Sequence, residues 1–544
     1  MAKININYIL TIACLVFFTS CNNKESGTKS LGVISSASPE ATIAGEKILL
    51  KGGNAIDAAV AISFALGVTE PAMSGLGGGT QVLLSLNNQP PISINGTTLS
   101  PANTPTHIKD TLTYHRRSTI PSTVKVLDYL LRNYGSGKIT WEELIKPSIE
   151  LAENGFKVGP FRAKVYKEYE NKLLKSNFNT SNFLVDGKKI PKEGEIIKQP
   201  LLAKTLKRLA INGADDFYKG EIAKQIAKDM QSNGGWITLE DLNNFPEPKE
   251  LEPLSTVYNN HVVYSQPPPC GGWTTLLALN LMEEVSKNAS LTDLDIVKVL
   301  YLAHYDRQNY PITDLINYDS IAKIKLSKEY AKKLFLQKPN SKVEEIKTSS
   351  GETTHFSVVD NNGNAIAVTS SINAYFGSLS STKELGFLYN TYMDDFIFEN
   401  PEHPFAIQPN AMAYSSMSPT IVQKDSENIL VIGSPGSSRI ISSVSQITAK
   451  WIQKNNIQEL IKQPRIHVSN NRVYFENQND TVQLPRQFLK NYCLEFKIPS
   501  ERLIIQEGIN AYYGGIHAIA KENGLWVGVA DPRRDGSEIK VIKE

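Results

Sequence analysis

The chain has 544 residues, of which 41% are hydrophobic and 21% charged, the balance of an ordinary globular protein and not of a disordered or collagen-like one. Its 57 basic and 55 acidic residues leave a net charge of +2, and no run of Lys or Arg is interleaved with aromatics. A dedicated nucleic-acid binder is therefore excluded, and the expected partner is a small molecule.

At the start, Lys3 precedes an apolar run from Tyr8 to Phe18, then Thr19-Ser20-Cys21 and an abruptly polar stretch. Residues 1–20 read as a signal peptide, too short to span a membrane as a helix. A cysteine directly after the small residues predicts lipidation at Cys21, in the manner of a bacterial lipoprotein. Export would then place the protein in the cell envelope, touching the membrane only through that lipid. Plain signal cleavage without a lipid is the alternative. Beyond Cys21, only Cys270 and Cys493 remain, so a disulfide scaffold and a four-thiolate zinc site are excluded. Whether these two pair is open.

A helix is predicted from Ala41 to Leu50, stopped by Lys51-Gly52-Gly53. Asn54 caps a second helix with Asp57 at its third position. From Ala58 to Val68 that helix is small and apolar nearly all round, so it must be buried. The glycine-rich Ser74-Gly75-Leu76-Gly77-Gly78-Gly79 lacks the Gly-Lys-Ser/Thr of a phosphate loop. It reads instead as close backbone packing before a strand from Thr80 to Leu86. Ile92-Ser93-Ile94 is strand-like and runs into Asn95-Gly96-Thr97-Thr98. Capping boxes at Thr140/Glu143 and Thr238/Asp241 open two further helices. Gln266 to Gly272, with three consecutive prolines, is a rigid turn, and core helices follow from Thr274 to Val285 and from Asp293 to Tyr305.

Lys338 to Gly351 is polar and rich in turn formers, as a surface linker would be. After it, Phe356, Val358 and Val359 lie in one strand, Asn361 to Asn364 form a turn, and Ala365 to Thr369 return. Thr353 stands at the head of this hairpin. A flexible segment feeding a strand that begins on a hydroxyl suits N-terminal nucleophile chemistry, in which the freed α-amino group, with a pKa of ~8, is the base for its own side chain. A Thr-Thr pair opening a strand is equally ordinary β-propensity, and spacing alone leaves both readings standing. The eight histidines show no ligand spacing, so His355 reads as structural. No Gly-x-Ser-x-Gly elbow occurs. Helix-rich text before the linker and a hairpin after it favour one layered α+β core over two independent domains.

Taken together, Lys51 to Ala59, Ser74 to Gly79, Thr353 to Ser357, Met393-Asp394-Asp395-Phe396, Ser415 to Thr420 and Gly433-Ser434-Pro435-Gly436 resemble the γ-glutamyltransferase (glutathione hydrolase) family. The match runs from about Gly32 to Ala530-Asp531-Pro532-Arg533. The resemblance implies a four-layer αββα sandwich of the N-terminal nucleophile (Ntn) hydrolases and a precursor that cuts itself before Thr353. A large subunit (21–352) and a small subunit (353–544) would then stay together as a heterodimer. It implies Thr353 as nucleophile in self-cleavage and catalysis, Ser371 as the second hydroxyl, and the backbone N–H groups of Gly436 and Ser437 as oxyanion donors. It also implies an ammonium subsite of Asn373, Tyr392 and Asp395, and carboxylate binding by Ser415 and Ser416. The substrate would be a small γ-glutamyl-like peptide or amide, the acceptor water or an amine, and no metal or organic cofactor is required.

Several positions depart from the family pattern, among them Ser371, usually threonine, and Asn95-Gly96-Thr97-Thr98, where the family usually reads Asp-Gly-Arg-Glu. Ser437 replaces a glycine and Tyr392 a glutamate or glutamine. Thr97 stands where an arginine usually clamps the carboxylate, a change worth roughly 1.5 to 3 kcal/mol for each charged hydrogen bond lost. Either another cation takes over, with Arg116 and Arg117 nearest in sequence, or the acyl group differs. A third reading is an uncut, catalytically silent binder of peptides or amino acids. The short stretch between Asp395 and Ser415 further suggests an open pocket.

Overall fold

The computed structural model describes residues 29–108, 110–286, 291–336, 352–398, 400–403, 405–469, 472–477 and 503–543. The signal segment, Cys21, Cys493 and the 338–351 linker lie outside the described residues.

Alternation along the central hairpin determines the layering. Its strands, Glu352–Asp360 and Ala365–Asn373, are buried on both faces. Phe356, Val358, Ile366, Val368 and Ile372 join one apolar cluster with the Pro39–Leu50 and Ala55–Thr69 helices, while Val359, Ala365 and Ala367 join another with Ile421, Val431 and Ile519 of a second sheet. A period of two thus sends alternate residues to a helix layer and to a sister sheet. The sister sheet repeats the logic: Val422, Leu430 and Ile432 face outward onto the Gly272–Ser286, Asp293–Asn309 and Arg439–Lys454 helices. The result is the αββα sandwich.

Seven strands form the first sheet, in the order Ser537–Lys543, Lys29–Ser36, Glu352–Asp360, Ala365–Asn373, Gly79–Ser85, Ile92–Gly96, Lys249–Leu251. Six form the second, in the order Leu525–Ala530, His517–Glu522, Glu427–Gly433, Thr420–Lys424, His261–Ser265, Leu254–Tyr258. Strands from before and after residue 352 are neighbours in both sheets.

Local signals explain the helix starts. The predicted capping boxes form at Asn54/Asp57, Thr140/Glu143 and Thr238/Asp241. The helix expected from Ala41 begins two residues earlier, because Ser38 accepts a hydrogen bond from the Ala41 N–H and Pro39 suits the first turn. His355 is structural, as read. It bonds Thr369 and Ser357 and packs so closely on Gly433 of the other sheet that a Cβ there would lie 2.2 Å from its ring.

Candidate active site

The hairpin ladder is regular from Val359↔Ala365 to Thr354↔Ser370, then slips so that Asn373 pairs with Glu352. This bulge, with Asn373 at φ +73, re-aims Ser371. Its Oγ donates to the Glu352 carbonyl at 2.5 Å and accepts from the Asn373 N–H at 2.7 Å. A hydroxyl therefore polarises the carbonyl of the Glu352–Thr353 peptide. The glycine cluster holds this arrangement from behind, since a Cβ on Gly78 would sit 2.4 Å from the Ser371 carbonyl oxygen. The close packing expected of the glycine cluster is thus present.

Charges surround the same peptide. The Glu352 carboxylate pairs with Arg439 Nη2 at 2.9 Å and Arg534 Nη2 at 2.7 Å, and Arg534 Nη1 lies 3.4 Å from the Thr353 carbonyl oxygen. Thr354 Oγ1 donates to Glu70 at 2.6 Å. Burial pushes the Glu70 pKa up to about 7, against the opposing pull of the Thr354 hydroxyl and then of Arg534 and Arg162. Sequence reading did not single out Glu70, Arg439 or Arg534 for a role here. Arg439 follows the oxyanion motif by only two residues and Arg534 directly follows the Asp531-Pro532-Arg533 segment, so proximity to motifs was the signal available.

A cavity of about 50 Å³ collects the predicted residues: Thr353, Ser371, Asn373, Tyr392, Asp395, Ser415, Ser416 and Ser437 line it, with Tyr414, Met417 and Ile440. That is far below the ~300 Å³ of a small ligand site, so among the described residues, which omit 399 and 404 of the short 396–414 stretch, the expected open pocket is not formed. Asn373 Nδ2 is held by the Thr391 carbonyl at 3.1 Å. Burial keeps the Tyr392 phenol protonated, with Ser371 nearby opposing part of the shift. The Ser415-Ser416 segment is pinned from the proline turn and from a helix: the Ser415 N–H donates to the Pro269 carbonyl at 3.0 Å, and Arg307 donates to the Ser415 carbonyl at 2.8 Å while stacking on Tyr414. Cys270 in that turn is buried, which pushes its thiol up to about 12.

Two predicted residues are not among those lining the cavity. Gly436, at φ +120, precedes Ser437, at φ +53, just ahead of the Arg439–Lys454 helix, whose N-terminal dipole favours negative charge. Thr97 is committed elsewhere: its hydroxyl accepts from Gln81 at 2.7 Å and donates to Asn95 at 2.6 Å. Arg116 and Arg117 do not replace the missing arginine, because Arg117 makes a forked pair with Asp394 and Arg116 lies over Trp236.

The sequence profile described as Gamma-glutamyltranspeptidase matches residues 41–541. The glutathione hydrolase proenzyme of Escherichia coli (strain K12) is 36% identical over 472 residues, covering 80% of each chain. That of Bacillus subtilis (strain 168) is 31% identical over 569 residues, covering 94% of this chain and 91% of the relative. In fold, cephalosporin acylase from Bacillus halodurans superposes with a TM-score of 0.82 at 24% identity, over 94% of this chain and 96% of that one. With an Ntn-hydrolase sandwich and a family match across nearly its whole described length, the chain belongs to the γ-glutamyltranspeptidase family of transferases and hydrolases.

Proposed function

We propose that the chain cuts itself between Glu352 and Thr353 and then uses Thr353 to hydrolyse or transfer γ-glutamyl-like acyl groups. The observation that carries this reading is the 2.5 Å hydrogen bond from Ser371 to the Glu352 carbonyl, made at the edge of a cavity that Thr353 lines. In self-cleavage Thr353 Oγ attacks that carbonyl carbon, the C–N bond breaks, and the hydroxyl proton passes to the departing nitrogen. Water then hydrolyses the ester, leaving a carboxylate on Glu352 and a free amine on Thr353. That amine takes the Oγ proton when the next acyl group is attacked, and returns it to the leaving amine. Negative charge on the substrate oxygen is met by backbone N–H groups at Gly436 and Ser437, each such donor contributing ~3 kcal/mol. Water or an amine releases the acyl group.

A different acyl group is the second reading, supported by the commitment of Thr97 to Gln81 and Asn95. The proposal includes removal of residues 1–20 and a lipid on Cys21. Mass and N-terminal analysis of detergent-extracted protein, beside Thr353→Ala, tests all of it. Expected are a fragment beginning at Thr353, a lipid-bearing fragment beginning at Cys21, and one uncut chain in the variant. An uncut, folded wild-type chain rejects the nucleophile and favours a silent binder; a large fragment still beginning at Met1 rejects the anchor.

A further inference from the structure

Glu352 is the last residue before the proposed cut, and its side chain is held by two arginines that have no other ion pair among the described residues. Both are buried, and both are fixed before any ligand arrives. The Arg439 guanidinium lies 4.6 Å from the Tyr512 ring centre and that of Arg534 4.7 Å from Phe161. Arg534 is further set by its neighbours: Arg533 and Asp531 form a buried network with Glu476 and Arg465, and Gly515 leaves room for the Arg534 stem, where a Cβ would lie 2.6 Å from Cδ. Arg439 flanks the oxyanion motif, its Nε 3.5 Å from where a Cβ on Gly436 would sit.

Cleavage removes the bond that ties Glu352 to this place. The two guanidiniums stay, because both belong to the piece that begins at Thr353. Buried cations stripped of their carboxylate demand another anion, and two planar forks converging on one point match a carboxylate's two oxygens. Glu70, which also acts on Arg534, is engaged with Thr354.

Resting on the self-cleavage reading above, we propose that Arg439 and Arg534 form an anionic subsite beside the nucleophile. In the uncut chain it is filled by the Glu352 carboxylate, and in the cut enzyme it binds a carboxylate of the acyl donor or of the acceptor. The precursor thus carries its own occupant, which keeps the subsite closed to substrate until the nucleophile is released. The pair does not line the small cavity of the uncut chain; it supplies a cation that Thr97 does not, next to the Thr353 carbonyl.

Wild-type enzyme, its two fragments verified by mass, is assayed with a γ-glutamyl anilide and its α-carboxamide counterpart as donors, and with glycylglycine and glycylglycinamide as acceptors. Expected is a preference of at least tenfold in kcat/KM for the carboxylate form of one partner, which identifies the molecule that enters the subsite. In Arg439→Gln and Arg534→Gln that preference falls toward one, mainly through KM. General damage would slow both forms alike and leave the ratio unchanged. If these variants stay uncut, Arg439→Lys and Arg534→Lys, which keep the charge that holds Glu352, carry the test with an expected fall of at least threefold. A wild-type ratio near one with donors and acceptors alike, or a ratio undiminished in cut variants, overturns the proposal. Failure of the self-cleavage reading is distinct, because an uncut wild-type chain is seen in the mass spectrum before substrate is added.

Discussion

Ser437 occupies a backbone conformation that side chains resist. At φ +53 it sits in the left-handed region, where a Cβ meets the neighbouring carbonyl at a cost of roughly 1 kcal/mol. The Ile440 N–H bonds the Ser437 carbonyl at 3.0 Å, so the turn is used to start the helix that carries Arg439. The oxyanion role proposed for Ser437 needs only the backbone N–H, which glycine also supplies. Ser437→Gly, in the uncut Thr353→Ala background, is therefore expected to raise stability by about 1 kcal/mol in denaturant unfolding. In the Thr353 background it should still cut itself. A loss of stability would mean that the serine hydroxyl contributes more than the strain it imposes.

At the scale of elements, the Glu352–Asp360/Ala365–Asn373 hairpin is tied to the buried Ala55–Thr69 helix by one carboxylate. Asp360 Oδ2 accepts from the Ala55 N–H at 2.9 Å and from Asn364 Nδ2 at 2.8 Å, and Oδ1 accepts from the N–H groups of Asn362 and Asn364. Turn and helix start share this acceptor. Asp360→Ala leaves several donors unmet in a buried place, and a loss of roughly 2 to 4 kcal/mol in denaturant unfolding is expected. A loss below 1 kcal/mol would show that water replaces the carboxylate. The hairpin itself was legible, because alternation of Phe356, Val358 and Ala365 to Thr369 is local, and so were the capping boxes, whose partners stand three residues apart. Thr353, Ser371, Asn373 and Asp395 were legible only through family motifs, and the structure brings them to one cavity. What the sequence could not show is convergence over distance. Arg439 and Arg534 reach Glu352 across 87 and 182 residues, and no periodicity or spacing rule connects positions so far apart. The Lys29–Ser36 strand escaped for the same reason: its partners are Glu352–Asp360 and Ser537–Lys543, and its own text is short and mixed.

For the whole molecule, strands from before and after residue 352 pair with each other in both sheets, so the expected 21–352 and 353–544 pieces would be held by the same core that folds the uncut chain. That core also buries His355, His467 and His517 almost completely. Burial lowers the pKa of all three and of His304 beside His467, to about 3 for His304 and His517 and well below 6.5 for the other two. Because the folded pKa values lie below the unfolded one, their contribution to stability is complete above pH 6.5. It is lost as the pH falls and the unfolded chain takes up protons that the folded chain refuses. Four such protons would give a slope of between about 5 and 6 kcal/mol per pH unit near pH 5. Glu70 opposes them: its folded pKa of about 7 lies above the unfolded value of 4.5, so the folded chain gains stability from it as the pH falls through that window. One proton against four leaves roughly 4 kcal/mol per pH unit. Denaturant unfolding of the uncut Thr353→Ala chain at pH 5.5, 5.0 and 4.5 is expected to show that fall, and Glu70→Gln in the same background should steepen it by about a third. A stability flat across this range would mean that the four imidazoles can be protonated without unfolding, and that water reaches them in the core.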